Sequence, residues 1–244
     1  MQTSSFPCLA SPGPKASALS WSTPFRSATE LTQSLARLGK DFNALQLSQG
    51  QLQGRISVVH LLGISLLEIQ TNQLLLLNGE RGDDCTAFAL ESSNTIDDHK
   101  VHGKPINPNS LHGFKSGLNE SFFSLTAGST SYMVVTSTTR FHRYLMHCGQ
   151  EHLVELLGRC NGVTLNQDHH RALCRIIATL FNAPTTTAAD LQLNSSLLQT
   201  CLLNGLVESQ ADEYVTHQPK ARHDLIRELV HWGFQNGHQP LNLD

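Results

Sequence analysis

Histidine supplies the commonest protein ligand for transition metals, and six of the thirteen histidines in this sequence fall into three close pairs. The pairs are His99 and His102, His142 and His147, and His169 and His170. A metal site in a β-barrel usually needs two histidines one residue apart, because alternate side chains of a strand point to the same side. No His-x-His occurs. The spacing therefore predicts no metal site, and we interpret these histidines as surface or hydrogen-bonding residues.

Nucleophile and phosphate-binding patterns are also missing from the sequence. It contains no Gly-x-Ser-x-Gly turn, no Walker loop and no dinucleotide-binding glycine fingerprint. Cys85 follows Asp83 and Asp84, whose negative charge disfavours the thiolate that a cysteine nucleophile requires. The sequence therefore assigns no catalytic residue and no cofactor, and we expect a protein that is not an enzyme.

Two polar residues inside apolar strands are the remaining candidates for a site. His60 is either a hydrogen-bonded core residue or a ligand contact, and Glu68 is either an outward-facing residue or a buried acid at a pocket. Together with Leu62 and Tyr132, they form the predicted ligand pocket.

Charge, apolar runs and cysteine usage limit the possible partners. Lys and Arg number 17 against 20 Asp and Glu, a net charge of -3, so the chain lacks the positive excess that binding to a DNA backbone requires. The longest apolar runs are far shorter than the roughly 20 residues of a membrane-spanning helix. The six cysteines include no CxxC pair, and the N-terminus has no secretion signal. These features predict a soluble, cytoplasmic protein with reduced thiols.

The pattern of apolar residues divides the chain into four parts and predicts an α+β fold. Residues 1–24 are rich in Ser, Thr and Pro and predict a disordered tail. Residues 25–140 begin with a short helix, capped by Ser27 and Glu30, and continue with short strands separated by turns. Strands spaced so closely predict an antiparallel barrel or sandwich rather than a doubly wound sheet.

Residues 141–238 return to helical periodicity, with helices predicted at 151–159, 168–181, 191–207 and 222–235. The second of these carries an apolar stripe of Leu173, Ile176, Ile177 and Leu180. Such a stripe either covers the β-domain as part of its core or pairs with the same helix of a second subunit. We weigh the two interpretations equally, and the second predicts a homodimer.

Three motifs resemble those of AraC-type transcriptional regulators, in particular the group that includes ethanolamine-operon regulators. Gln46-Leu-Ser-Gln-Gly50-Gln-Leu-Gln-Gly54 resembles the opening strand of that group, with Leu52 where phenylalanine is common. His102-Gly-Lys-Pro-Ile106 resembles a later turn, and Gln239-Pro-Leu-Asn-Leu-Asp244 resembles the lead-in to the DNA-binding domain.

This resemblance implies a cupin-like sensor domain at 25–140 and a helical dimerisation and linker region at 141–238. Residues 239–244 would begin a helix-turn-helix domain that is missing here, so DNA would be contacted only through a domain not present in this chain. The expected partners are a second copy of the chain and an unidentified small effector. Two alternatives remain open, namely a cupin-like metal-dependent enzyme and an interaction module without a ligand.

Overall fold

The structure is a computed structural model, and it describes residues 20–38, 41–80, 84–92, 100–101, 104–105, 107, 109–113, 120–182 and 187–211. Three of the predicted segments lie outside these residues: the tail up to residue 19, the helix at 222–235 and the lead-in at 239–244. The described residues all belong to one compact unit.

The described part of the chain contains thirteen strands and five helices. The first half is mostly strand: β1 Ser20–Phe25, α1 Ala28–Arg37, β2 Phe42–Gln46, β3 Gly54–Leu61, β4 Ile64–Thr71, β5 Leu75–Glu80, β6 Thr86–Glu91, β7 Lys100–Val101, β8 Lys104–Pro105, β9 Ser110–His112, β10 Glu120–Leu125 and β11 Thr130–Thr136. The second half is mostly helix: α2 Thr138–His147, α3 Glu151–Arg159, β12 Gly162–Thr164, α4 Gln167–Asn182, α5 Ala188–Val207 and β13 Gln210–Ala211.

These strands form two sheets in which every described pairing is antiparallel. The larger sheet has the order β1-β3-β4-β11-β6-β9-β12-β13, and the smaller sheet has the order β2-β5-β10-β7-β8. The α+β class and the antiparallel pairing agree with the sequence prediction. The predicted barrel is not closed, because each sheet ends in strands with one neighbour, and the sandwich alternative describes the arrangement.

One apolar core lies between the two sheets. It takes alternate side chains of β3 and β4, such as Ile56 and Ile69, and packs them against Leu77 of β5 and Leu125 of β10. All four are at most 1% exposed.

A second core covers the other face of the larger sheet. The opposite set of strand side chains, including Leu66, Phe88 and Val134, packs here against helices α2 to α5. Alternation along each strand explains both cores, since successive residues of a strand point to opposite faces. The described part of the chain therefore has three layers: the smaller sheet, the larger sheet and the helices.

The predicted cap of α1 is present, and α5 has a cap that was not predicted. The Ser27 side chain accepts a hydrogen bond from the backbone N–H of Glu30, as the predicted start of α1 requires. Thr187 and Asp190 form a reciprocal capping box at α5, in which each side chain accepts a hydrogen bond from the backbone N–H of the other residue.

Two boundaries differ from those that the sequence suggested. Residues 20–24 were assigned to the disordered tail, but β1 begins at Ser20 and pairs with β3 along its whole length. Its Ser-rich sequence forms an edge strand, where a single apolar anchor, Phe25, is buried. Helix α2 was not predicted, because its apolar face is reduced to the buried residues Phe141 and Leu145.

Asp84 lies two residues before β6 and connects that strand to the start of α2. Its carboxylate accepts hydrogen bonds from the Ser137 hydroxyl at 2.8 Å and from the backbone N–H and hydroxyl of Thr139 at 2.9 and 3.0 Å. The backbone hydrogen bond from Thr139 is the main reason that the pKa of Asp84 lies below its ordinary value. Ser137 in turn caps the helix by accepting from the backbone N–H of Arg140.

We expect Asp84→Ala to destabilise the protein by about 1 kcal/mol, a typical value for a lost helix cap, and to lower the melting temperature by about 2–4 °C. Because the folded-state pKa is depressed, this contribution is present at neutral pH and is lost as pH falls below 3.8 through the folded pKa. Urea unfolding of the wild type and Asp84→Asn from pH 7 to pH 3 would check this. A difference between them that stays constant with pH would contradict it.

None of the described helices is long and apolar enough to cross a membrane.

Candidate functional site

A row of polar side chains crosses the helix-covered face of the larger sheet. Register places Ser22 of β1 opposite Ser57 of β3, Ser57 opposite Glu68 of β4, and Glu68 opposite Tyr132 of β11. Directly opposed residues of antiparallel strands share a face, so all four side chains belong to the face that packs against the helices. The adjacent row on that face is apolar, so the polar row borders the second core.

Glu68 lies at the centre of this row and is half-buried. The side chains of Ser57 and Gln70 hydrogen-bond its carboxylate, and the charge of Arg55 acts on it. Burial nevertheless outweighs these contacts and raises the pKa of Glu68 above its ordinary value of 4.5. A partly desolvated carboxylate of this kind can accept a hydrogen bond from a further donor or bind a cation.

Tyr132 joins the polar row to helix α4. Its ring stacks on that of Phe181, with 6.1 Å between ring centroids and 16° between ring planes. Burial, followed by the charge of Glu68, raises the pKa of Tyr132 to about 12. The phenol therefore stays protonated at neutral pH and remains a hydrogen-bond donor, and Ser92 is a hydrogen-bond partner of its side chain.

A cleft of about 370 Å³ opens beside Glu68. Three strands and the end of α4 form its wall, and the lining residues are Ser20, Trp21, Ser22, Arg55, Ser57, Val58, Val59, Glu68, Gln70, Phe181 and Asn182. The volume falls at the lower end of the range of about 300–1,000 Å³ that is usual for small-molecule sites. Hydroxyl, amide and charged groups predominate, which suits a small polar ligand.

The structure brings two of the four predicted pocket residues together. Glu68 lines the cleft and Tyr132 lies directly across from it. His60 belongs to the alternate set of β3 residues that faces the smaller sheet, and its Nδ1 lies 2.8 Å from the Ser65 hydroxyl. Leu62 lies in the exposed β3–β4 turn, where it is 45% exposed. The assignment of these four residues to a ligand pocket stays a prediction.

Several lining residues were missed from the sequence, although a signal for them was present. Arg55 and Ser57 are spaced two residues apart, as are Glu68 and Gln70 on the next strand. A tight turn at residues 62–63 joins the two strands and fixes their register. Polar residues at alternate positions of a hairpin whose other positions are apolar predict one polar patch on one face. Phe181 gave no such signal, because its position depends on the packing of α4.

The predicted dimer stripe is placed in the core of a single chain. Leu173, Ile177 and Leu180 are at most 3% exposed and pack in the helix-covered core, and Ile176 packs partly buried against the same cluster. This matches the interpretation of the stripe as a cover for the β-domain.

Metal-binding groups do not converge in the described part of the chain. Among the described residues, no three His, Cys, Asp or Glu side chains lie close enough together to hold a metal ion.

Replacing Glu68 with glutamine should increase the stability of the protein near pH 7. A raised carboxyl pKa means that the folded state binds the proton more tightly than the unfolded state. The free energy of unfolding therefore falls as pH rises from 4.5 through the raised pKa of Glu68. Solvent screening limits the gain to less than about 1 kcal/mol, or about 2–4 °C in melting temperature at most. The gain should vanish below pH 4.5, where both forms are neutral.

Thermal melts of Glu68→Gln and wild type across pH 4–8 would measure this difference. Glu155→Gln is the matched control, because the Glu155 side chain is 77% exposed on α3. A Glu68→Gln protein that melts below the wild type at pH 7 would show that the carboxylate stabilises the fold, and would contradict its assignment to a ligand site.

Comparison with known proteins gives a result for the fold. The chain matches no family model and no curated protein sequence. Among solved structures it is similar to the AraC-like transcriptional activator CuxR, with 11% identity over 91% of this chain and 81% of that chain, at a TM-score of 0.56. This likeness establishes the fold. A second similar structure, ToxT from Vibrio cholerae, has 12% identity over 93% of this chain and 73% of that chain, and its TM-score of 0.25 carries no argument.

Proposed function

We propose that this chain is the effector-sensing and dimerisation part of an AraC-type transcriptional regulator. The observation that carries the proposal is the shared fold with the activator CuxR across 91% of the chain. The three sequence motifs that resemble AraC-type regulators also support this proposal. The chain would act in the cytoplasm without enzymatic activity, and DNA would be contacted by a helix-turn-helix domain that the described residues do not contain.

Helix α5 is the best candidate for the dimer contact. One side packs in the helix-covered core through residues such as Leu198 and Leu202. The other side exposes Leu193 and Leu197, which are 67% and 49% exposed and lie four residues apart. Between Leu191 and Val207 the helix has no charged residue. Because a helix that is apolar on two sides tends to bury both, its free side suits the same helix of a second copy.

The turn between β3 and β4 connects the cleft to this helix. The backbone N–H of Leu62 donates to the Ser195 hydroxyl of α5 at 3.1 Å, and Arg140 of α2 donates to the Leu62 carbonyl at 3.0 Å. The strands that meet at this turn carry Arg55 and Glu68 in the cleft. A ligand that shifts the hairpin would therefore act on α5 and bias the geometry of the dimer.

A fusion experiment tests the regulatory function. The chain is placed ahead of a DNA-binding domain that represses a reporter only when dimeric. Repression is expected for the wild-type fusion, loss of repression for Leu197→Asp, and full repression for the surface variant Glu155→Gln. A wild-type fusion that accumulates as soluble protein but leaves the reporter unrepressed would refute the proposal.

A further inference from the structure

The cleft beside Glu68 carries two opposite charges on adjacent strands, and this pattern identifies a class of ligand. Among the described residues that line the cleft, Arg55 is the one cation and Glu68 the one anion. The cleft lies on the helix-covered face of the larger sheet, outside the apolar core between the sheets. The inference that follows rests on the proposed function and specifies the ligand of that sensor.

The half-buried end of the cleft suits an ammonium group. An ionised carboxylate offers about four acceptor positions. Ser57 and Gln70 contact the Glu68 carboxylate from the sheet, which leaves acceptor capacity for a donor in the cleft. An ammonium brings three donors and a second positive charge, in addition to that of Arg55, to the partly desolvated carboxylate.

The exposed end of the cleft suits a carboxylate. Arg55 is exposed and lies on β3 two residues before Ser57, which is the residue opposite Glu68. This makes Arg55 the diagonal neighbour of Glu68, at a distance that long side chains can bridge. A guanidinium binds a carboxylate through two parallel hydrogen bonds, which fixes the orientation of the bound group.

We propose that this cleft binds a free α-amino acid, with its ammonium on Glu68 and its carboxylate on Arg55. A simple cation would be repelled by Arg55, and a simple anion by Glu68. The volume of about 370 Å³ restricts the ligand to a small molecule. Phe181 and Asn182, the last two residues of α4, face the same cleft and would contact the side chain of the amino acid.

This geometry also gives the ligand a direct contact with the helical layer. The ring of Phe181 stacks on Tyr132, which lies opposite Glu68 in the sheet. An amino acid in the cleft would therefore touch both the sheet and the end of α4, and α4 packs in the same core as α5. The bound amino acid would therefore contact α4, the helix that packs beside the proposed dimer helix α5.

Thermal shifts with defined probes test the proposal. The probes are the twenty L-α-amino acids, first pooled and then singly, the N-acetyl and carboxamide derivatives of those that bind, and glucose and ribitol as neutral polyols. One or a few free amino acids at 100 times their Kd should raise the melting temperature by about 5–10 °C. Both kinds of derivative should lose most of this shift, since each removes one charge.

Two variants test which residue binds each charged group of the ligand. Arg55→Gln and Glu68→Gln should each fold and lose the shift. Glu155→Gln and Arg159→Gln should keep it, because these two oppositely charged residues lie exposed on α3 and do not line the cleft. A shift that survives either cleft variant, an equal shift with both derivatives, or a response to polyols alone would overturn the proposal.

Failure of this inference is distinguishable from failure of the proposed function. Dimer mass and the fusion reporter are both measured without added ligand. A dimeric, repressing chain that no amino acid stabilises would remove the amino-acid ligand and leave the regulator in place. A chain that binds an amino acid but neither dimerises nor represses would keep the amino-acid ligand and remove the regulator.

Discussion

Ile177→Asp is expected to abolish the folded state. Ile177 is fully buried in α4 against the larger sheet. An unpaired carboxylate at this position costs several kcal/mol in desolvation, in addition to the packing lost with the isoleucine side chain. These costs together approach the total stability of about 5–15 kcal/mol that is typical of a domain. Circular dichroism should show no cooperative melt.

Leu197→Asp is the matched variant on the exposed side of the helical layer. Leu197 is 49% exposed on α5, so the substitution should destabilise one chain by only about 1–2 kcal/mol. The folded spectrum should persist while the proposed dimer dissociates. If Ile177→Asp instead folded normally and became monomeric, the α4 stripe would be the interface and its assignment to the core would be wrong.

Gly54→Ala is expected to destabilise the protein by about 3 kcal/mol, the upper part of the usual range for overpacking. A Cβ atom at Gly54 would collide with the ring of Phe25 and would lie 2.6 Å from the backbone oxygen of Gln70. Phe25 is 1% exposed, and the Gln70 oxygen belongs to the neighbouring strand, so neither atom can move away at low cost. The melting temperature should fall by about 6–12 °C.

Gly158→Ala provides the opposite control. Nothing lies within 4 Å of a Cβ built at Gly158, which is part of α3. Alanine should therefore stabilise the helix by about 0.5–1 kcal/mol. Guanidinium unfolding of the two variants would compare them directly. A Gly54→Ala protein as stable as the wild type would show that β3 and β4 separate easily. That result would contradict the close packing of Gly54 against Phe25 and Gln70.

Gly54 also explains why one of the sequence motifs has its pattern. Phe25 of β1 pairs with Gly54, and its ring lies where a side chain would otherwise stand. Earlier in the motif, the Gln46 side chain donates to the backbone oxygens of Ser48 and Gly50. Gly50 has a φ of +120°, which favours glycine. These residues build a specific loop and strand entry, so the motif reports on fold rather than on a ligand.

Local patterns were enough to predict some elements of the fold. The leucines of α1 and the stripe of α4 recur at helical spacing, and the short apolar runs of β3, β4 and β11 are bounded by turn residues. Each of these signals depends on residues close together in the chain. The antiparallel arrangement followed from the same local evidence, since the intervals between strands are too short for crossover helices.

The remaining features depend on contacts between distant residues. β1 forms because β3 supplies a partner for an otherwise polar segment, and β12 joins the larger sheet through β9. Whether the α4 stripe is core or interface depends on how that helix packs, because its periodicity is the same in both cases. The tight turn and the alternating polar residues could have predicted the polar patch of the β3–β4 hairpin. The position of Phe181 in the wall of the cleft could not be predicted, because it depends on the packing of α4.

We propose that the chain forms a dimer through α5 while its cleft senses an effector. Sedimentation equilibrium of wild type and Leu197→Asp at micromolar concentration tests the structural half of this claim most directly. We predict the mass of two chains for the wild type and of one chain for the variant. A wild type with the mass of a single chain at every concentration, or a dimer that survives Leu197→Asp, would contradict it.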